Sequence, residues 1–413
     1  MTQAAAIDWS TSYAIRASRM GASEIRELLK LLDQPGILSF AGGIPDPALF
    51  PAAAIQAAAA NILAVPATCN QALQYAPSEG YRPLREWIAA HMAGLGVPCT
   101  IDNIIITGGS QQGLDMLGKL LISPGDTILV TAPTYLGALQ AFNAFEPRYD
   151  TLNLAGTMTP AGLVDGASAA GSRIAAAYAV TDFANPTGES MGLVTRDALL
   201  DLVTELGVPL IEDAAYTALR FGGEAVPSCL ALEVARMGSI EHSRVVYCGT
   251  FSKTISPGLR VGWVCAATEL VHKIVLAKQA ADLHSPSLSQ MIIHRVASAE
   301  YDALLPSLVK AYASRRDAML DALEQAMPAG VHWTHPEGGM FVWMTLPTEM
   351  DGSALLARAI AEESVAFVPG AAFHADGTGR NTIRLAYSLQ PESVIAEGMA
   401  RLGRLVARKI GGR

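Results

Sequence analysis

The sequence predicts an α/β protein, with a mostly parallel sheet covered by helices on both faces and a smaller α+β domain. Two observations support this prediction. Between Asn103 and Ala266, short β-rich runs alternate with helical patterns, as in strand–helix–strand units. A long helical stretch at 304–327 then leads into a few further strands. With 51% hydrophobic and 16% charged residues among 413, the chain has enough apolar side chains for more than one core.

Six runs make up the predicted main sheet. In chain order they are residues 104–107, 127–131, 174–180, 208–212, 245–249 and 261–265. Helical patterns separate them and would cover the sheet. Ligands of such sheets bind at the carboxyl ends of the strands, so functional side chains are expected just after these runs.

The smaller unit is predicted from the last third of the chain. Its strands are expected at residues 340–346, 365–368 and 382–386, and its helices at 353–363 and 391–409. We expect three segments: an N-terminal arm that also contributes to the small domain at 1–50, a large domain at 51–300 and the small domain at 301–413.

Composition excludes several classes of protein. A net charge of -9 without a cluster of Lys and Arg argues against nucleic-acid binding. No apolar run is long enough to cross a membrane, and the N-terminus lacks the features of a secretion signal, so the cytoplasm is the expected compartment. Five cysteines form no C-x-x-C pair, and His332 and His335 have no third ligand nearby, so no metal is expected. The expected partners are small molecules and other copies of the chain.

The strongest chemical signal is the segment T-F-S-K-T-I-S-P-G-L-R-V-G, which begins at Thr250 directly after a strand. Lys253 offers an amine that could anchor an aldehyde cofactor covalently and then act as a base. The hydroxyls of Thr250 and Ser252 and the forked donors of Arg260 suit a phosphate dianion. A lone lysine beside serines is more often a surface loop, but the strand before it and the proline–glycine turn after it indicate a shaped site.

This segment resembles the cofactor-lysine motif of class I/II aminotransferases, which are fold type I pyridoxal phosphate enzymes. The resemblance extends from Ser23 to about Arg404. It implies a seven-stranded, mostly parallel sheet between helices and a Schiff base between pyridoxal 5'-phosphate and Lys253. Other motifs at the predicted strand ends can be compared with the same family.

Two strand-end motifs match the family's contacts to the cofactor ring. In F-A-N-P-T-G, Asn185 precedes a proline that favours an extended backbone, and the family's Asn bonds the phenolic oxygen and helps hold the substrate. Ala184 replaces the Gln common there. In V-P-L-I-E-D-A-A-Y, the resemblance pairs Asp213 with the ring nitrogen and Tyr216 with the phenolic oxygen. A helix N-cap at Asp213 is the structural alternative.

Two further motifs would hold the phosphate and the ring plane. The segment T-G-G-S-Q-Q-G at 107–113 reads as a strand, a glycine turn and a helix start, where open amides favour an anion. The resemblance gives the phosphate role to Ser110 and Gln111. Tyr135, in A-P-T-Y, resembles the aromatic residue that stacks on the cofactor, although a lone tyrosine is more often packing.

The resemblance also implies a second subunit and a substrate arginine. Tyr75, in Q-Y-A-P-S-E-G-Y-R-P-L-R-E, matches a tyrosine that reaches the phosphate of the neighbouring subunit, which implies a homodimer. Arg384 lies in an apolar strand, where burial is costly without an anion. The family supplies that anion as the α-carboxylate of the amino acid; a structural salt bridge is the alternative.

Within the family, the sequence is most similar to the 2-aminoadipate and kynurenine aminotransferase branch. The similarity rests on S-E-I-R-E-L-L-K at 23–30 and F-A-G-G-I-P-D-P-A-L-F-P at 40–51. In that branch, the arginine matching Arg26 meets the distal end of the substrate from a short helix. A solvated arginine is the alternative. Gly43 would let the backbone pass close to the ligand.

These observations predict an aminotransferase that moves an amino group from an L-amino acid to a 2-oxo acid, with 2-oxoglutarate as the expected acceptor. Two alternatives stay open. The same site could run another pyridoxal phosphate reaction, as a decarboxylase or lyase does. A regulatory module of the MocR type fuses a similar domain to an N-terminal winged helix, and we expect no such domain because the family pattern begins by about Ser23.

Overall fold

The computed structural model describes residues 7–21, 36–152 and 159–411. Its largest sheet has seven strands in the order β2-β8-β7-β6-β5-β3-β4. The strands are β2 (Ile104–Thr107), β3 (Thr127–Val130), β4 (Arg148–Thr151), β5 (Ile174–Ala179), β6 (Leu210–Asp213), β7 (Val245–Thr250) and β8 (Gly262–Cys265). All neighbours pair in parallel except β8, which is antiparallel to both β2 and β7. The predicted fold class is therefore confirmed.

Nine α-helices accompany this part of the described chain. They are α1 (Ala52–Ala64), α2 (Pro66–Leu73), α3 (Arg82–Gly94), α4 (Ser110–Leu121), α5 (Leu136–Asn143), α6 (Pro160–Ala169), α7 (Leu193–Leu206), α8 (Cys229–Met237) and α9 (Thr268–Ala281). Local chemistry sets their ends. Ser228 caps the start of α8 by accepting a hydrogen bond from the Ala231 amide, and Gly207 ends α7 in the left-handed region at φ +68.

Both faces of the seven-stranded sheet are buried. Along β5, Ala176 and Tyr178 pack into one hydrophobic core, and Ala177 and Ala179 pack into the other. A parallel sheet covered on both faces requires such a continuous apolar strand. The site residues that follow these strands are consequently held by a rigid frame.

The remaining elements form two small sheets and three helices. One sheet has the order β12-β13-β10-β9, and β1 pairs in parallel with β11. The strands are β1 (Leu38–Ser39), β9 (His332–Trp333), β10 (Phe341–Thr345), β11 (Val365–Ala366), β12 (Val368–Pro369) and β13 (Thr382–Ala386). The helices are α10 (Ser287–Ala326), α11 (Gly352–Arg358) and α12 (Glu392–Gly411). Because β1 pairs with β11, both ends of the chain contribute to this region.

Several elements differ from the sequence predictions, among them the short strands β1 and β9, which were not predicted. Strand β4 was not predicted, because this half-exposed edge strand carries no apolar run. The run at 365–368 divides into β11 and β12, which belong to different sheets. Helix α10 begins 17 residues before the predicted helix at 304 and passes Pro306 without ending. It crosses position 300, so the division into domains there stays a prediction.

Within the described residues, no single helix has the length and apolar character to span a membrane. Helices α1 and α2 reach that length and composition only together, and they bend by 103° at their junction.

Candidate active site

A cavity of about 150 Å³ lies at the carboxyl ends of β2, β3, β5, β6 and β7. Nine of the side chains predicted from the sequence line it: Ser110, Gln111, Tyr135, Asp213, Tyr216, Thr250, Ser252, Lys253 and Arg260. Val180, Ala215 and Pro257 complete the lining. The sheet thus brings together groups that lie up to 150 residues apart in the chain, at the edge where such folds bind ligands.

Lys253 follows β7 and extends into this cavity. Its Nζ donates a hydrogen bond of 3.1 Å to the carbonyl oxygen of Gly43. Burial, followed by the positive charges of Arg384 and Arg260, lowers the pKa of Lys253 to about 8. At pH 7 about one amine in ten is then unprotonated, against roughly three in ten thousand for an ordinary lysine. The amine is therefore available as a nucleophile and a base near neutral pH.

Asp213, the last residue of β6, is 3% exposed. Its Oδ2 accepts a hydrogen bond of 2.9 Å from the hydroxyl of Tyr178, whereas its Oδ1 has no partner among the described residues. Burial raises the pKa of Asp213 to about 6, although the Tyr178 hydroxyl, the Ala215 backbone amide and the charge of Lys253 act in the opposite direction. A buried carboxylate with a free oxygen facing a cavity is suited to a cationic N–H donor from a ligand.

Arg384 lies in the middle of β13 and is 2% exposed. The guanidinium donates hydrogen bonds of 2.7 Å to Asn185 Oδ1 and 2.6 Å to the Ala41 carbonyl. Its carbon lies 4.3 Å from the ring centre of Phe341 and 4.9 Å from that of Phe373. The Nε has no partner among the described residues, and burial lowers the pKa of Arg384 to about 10. Among the described residues no carboxylate contributes to the pKa shift of Arg384, so an anion would be bound strongly here.

Asn185 connects Arg384 to the cavity. Its amide nitrogen donates a hydrogen bond of 3.4 Å to the hydroxyl of Tyr216. Burial raises the pKa of Tyr216 well above its usual value, so the hydroxyl keeps its proton at neutral pH and is a donor. Tyr216, Asn185 and Arg384 therefore form a continuous chain of hydrogen bonds that begins at the cavity lining and ends at the guanidinium.

The turn at residues 107–113, called the anion turn below, borders the other end of the cavity. Gly109 adopts φ +83 and α4 begins at Ser110, so the first amides of this helix have no helical partner. Arg260, itself at φ +54, donates a hydrogen bond of 2.9 Å from Nη2 to the Gly108 carbonyl. A Cβ on Gly109 would lie 2.7 Å from this guanidinium, and the backbone at φ +83 is one that favours glycine. Open amides beside a cation make a phosphate-sized anion site.

Of the residues predicted from the sequence, one described residue lies apart from this assembly. Tyr75 is 79% exposed and packs edge-on against His284, with ring centres 6.0 Å apart. Arg26 lies outside the described residues. Sequence reasoning missed Tyr178, Phe341 and Phe373, which hold Asp213 and Arg384. These apolar or aromatic residues look like ordinary core residues in the sequence, and their partners are far away in the chain.

The donor set fits pyridoxal phosphate. The unpaired Oδ1 of Asp213 matches a protonated ring nitrogen, the anion turn matches a phosphate, and the amine of Lys253, with its lowered pKa, matches an aldehyde. All three border one cavity. In the described residues no group of three or more His, Cys, Asp or Glu side chains could hold a metal ion.

Comparison with known proteins gives matches over nearly the whole chain. The family model for class I and II aminotransferases matches residues 40–402. The 2-aminoadipate transaminase of Thermus thermophilus is 44% identical, covering 96% of this chain and 97% of that protein. Aromatic-amino-acid aminotransferase 1 of Thermococcus litoralis is 39% identical, covering 99% and 97%. The crystal structure of the α-aminoadipate aminotransferase from Thermus thermophilus, complexed with N-(5'-phosphopyridoxyl)-L-leucine, has a TM-score of 0.88 and 40% identity, covering 98% of this chain and 100% of that one.

Proposed function

The chain belongs to the class I and II aminotransferases. On that premise, we propose that Lys253 binds pyridoxal phosphate covalently and transfers the Cα proton of the substrate. The family favours amino-group transfer over the decarboxylase, lyase and regulatory alternatives. The observation that carries the assignment is the reactive amine of Lys253 in the same cavity as the unpaired oxygen of Asp213.

We assign the cofactor contacts from the lining of the cavity. Asp213 would hold the ring nitrogen as a cation, with Tyr178 fixing the carboxylate from behind. Tyr135 would cover the ring, and Asn185 and Tyr216 would face the phenolic oxygen. The phosphate contacts would come from Ser110, Gln111, Thr250, Ser252 and Arg260.

Arg384 would bind the α-carboxylate of the amino acid, with Asn185 orienting both the guanidinium and the substrate. When bound, pyridoxal phosphate supplies an aldehyde that takes up the amino group and a ring that withdraws electrons from the Cα–H bond. Lys253, with its pKa of about 8, then removes the proton from Cα of the substrate. The Gly43 carbonyl accepts a hydrogen bond from this amine and would keep it directed into the cavity.

We propose a dicarboxylic or aromatic amino acid as donor and 2-oxoglutarate as acceptor. The support is the similarity to relatives named for 2-aminoadipate and for aromatic amino acids. Arg26 is our proposed contact to a distal carboxylate. The test is a half-reaction screen, in which each amino acid is added to the cofactor-loaded protein and the cofactor absorbance is followed. A response only to amines without an α-carboxylate would refute both the donor class and the role of Arg384.

We further propose that the active unit is a homodimer in the cytoplasm, with Tyr75 reaching the phosphate of the neighbouring subunit. The support is the exposure of Tyr75 and of Leu73, at 79% and 71%, on one segment. Mixed dimers of Lys253→Ala and Tyr75→Ala chains provide the test. One of their two sites combines an intact Lys253 with the neighbour's intact Tyr75, so mixing should restore activity that neither variant has alone. No gain on mixing, with mixed dimers verified by differential tags, would refute the shared site.

A further inference from the structure

A buried lysine lies directly behind the anion turn. Lys278, near the end of α9, has a side chain that is 0% exposed, whereas its partner Asp282 is 35% exposed. Its Nζ donates hydrogen bonds of 2.9 Å to Gln112 Oε1 and of 3.0 and 2.9 Å to the two carboxylate oxygens of Asp282. Gln112 also donates a hydrogen bond of 2.7 Å to Asp282. The three side chains therefore form a closed ring of hydrogen bonds.

Gln112, which belongs to the anion turn, connects this ring to the peptide of Gly108. Its Oε1, which accepts from Lys278, also accepts a hydrogen bond of 2.7 Å from the Gly108 amide. The carbonyl of the same glycine accepts from Arg260. The Gly108 amide is thus bonded to Gln112, which Lys278 of α9 holds in place. The Gly108 carbonyl is bonded to Arg260, a predicted phosphate ligand.

The anion turn has little room to shift. A Cβ on Gly109 would meet Arg260 at 2.7 Å, and a Cβ on Gly262 would meet the Gly109 carbonyl carbon at the same distance. With these contacts on one side, the Gln112 bridge determines the position of the turn on the other.

A lysine is a costly residue for this position if packing is its only role. Burial of an ammonium group is unfavourable even when it is paired, and an apolar side chain of similar length would fill the space without that penalty. Burial lowers the pKa of Lys278, and Asp282 opposes this effect. What the ammonium adds is a fixed donor that orients the Gln112 carbonyl toward Gly108.

We propose that Lys278 is a positioning residue for the cofactor phosphate, acting through Gln112 on the peptide of Gly108. The inference rests on the proposed function of the anion turn as the phosphate site. Lys278 itself does not line the cavity and its charge is paired with Asp282, so its contribution is to the geometry of the turn. Its loss should therefore weaken phosphate binding and leave the contacts to the ring and to the aldehyde intact.

Pyridoxal 5'-phosphate and pyridoxal, which differ only in the phosphate, separate these contributions. We would titrate cofactor-free wild-type protein and Lys278→Met with each compound and measure the dissociation constants by tryptophan fluorescence. We expect Lys278→Met to weaken pyridoxal phosphate by about tenfold, the lower end of what outer-shell partners contribute at metal sites. The affinity for pyridoxal should stay unchanged, because pyridoxal has no phosphate for the anion turn to hold.

Two further variants make the test decisive. Lys273→Met removes an exposed lysine from the same helix and should leave both affinities unchanged. Gln112→Met breaks the bridge to Gly108 while keeping Lys278 paired with Asp282, and should reproduce the phosphate-selective loss even if Lys278→Met does not fold. Equal losses for the two compounds, or no loss for the phosphate, would overturn the proposal. If the wild-type protein itself showed no preference for the phosphorylated compound, the proposed cofactor site would fail first.

Discussion

Replacing Asp213 with Asn should stabilise the cofactor-free protein while weakening cofactor binding and catalysis. The carboxylate is buried and its Oδ1 has no partner among the described residues, so its ionised form is unfavourable until a ligand arrives. The pKa of about 6 lies about 2 above the usual value for aspartate. At about 1.4 kcal/mol for each unit of pKa, ionised Asp213 reduces the free energy of unfolding by about 3 kcal/mol near neutral pH. The isosteric amide removes this cost and can still accept from Tyr178.

The pH dependence has a defined sign. Because the folded-state pKa is raised, the folded protein binds more protons than the unfolded chain between about pH 4 and pH 6. The stability associated with Asp213 is present below that window and is lost as the pH rises through it. Urea unfolding of both cofactor-free proteins, at one protein concentration, should therefore give a difference that grows from near zero at pH 4 to about 3 kcal/mol at pH 7.5. A difference that does not vary with pH would refute the argument.

In the presence of the cofactor, Asp213→Asn should be unfavourable rather than favourable. Without a carboxylate, the ring nitrogen loses a charged hydrogen bond worth about 1.5 to 3 kcal/mol, so cofactor affinity should fall by roughly 10- to 150-fold. Removal of the Cα proton should slow severely, because an unprotonated ring is a poor electron sink. Stopped-flow single turnovers with excess cofactor measure this step, and a wild-type rate would rule out the assigned role of Asp213.

Four further predictions address the other groups. Lys253→Ala should lose the covalently bound cofactor and nearly all turnover, since loss of the base alone costs roughly 10² to 10⁴; turnover near the wild-type level would exclude it as the catalytic lysine. In wild-type protein, cofactor capture by the free amine should accelerate with pH, reach half of its limiting rate near pH 8, the pKa of Lys253, and level off by about pH 9; a midpoint above pH 10 would contradict this pKa. Arg384→Ala should lower kcat/KM for every amino acid, by an amount that corresponds to about 2 to 5 kcal/mol in activation free energy. A loss confined to one substrate would contradict its role. Arg26→Ala should weaken the binding of dicarboxylic substrates by about 1.5 to 3 kcal/mol and leave the binding of monocarboxylic ones nearly unchanged. Equal losses for the two substrate types would contradict a role of Arg26 in specificity.

Much of the site was predictable because its residues stand at strand ends. Asp213 directly follows a predicted apolar run, Lys253 comes shortly after another, and the anion turn has its glycines between a strand and a helix. Such positions are visible in the sequence because the carboxyl ends of parallel strands meet at one edge. The family resemblance then supplied expected roles, which the shared cavity supports.

The supporting residues could not be predicted in the same way. Tyr178 reads as a core residue of β5, and only the pairing of β5 with β6 brings its hydroxyl to Asp213. Lys278 looks like one more lysine on a helix, and its partner Gln112 is 166 positions away in the chain. Contacts of this kind depend on how helices pack on the sheet, which no local pattern records.

The most direct test of the central claim is to follow the amino nitrogen itself. The cofactor-loaded protein would be incubated with a ¹⁵N-labelled donor identified in the half-reaction screen and with unlabelled 2-oxoglutarate, and the glutamate formed would be analysed by mass spectrometry. The account predicts ¹⁵N in glutamate with wild-type protein and none with Lys253→Ala. Release of carbon dioxide or ¹⁵N-ammonia from the donor, without labelled glutamate, would contradict it.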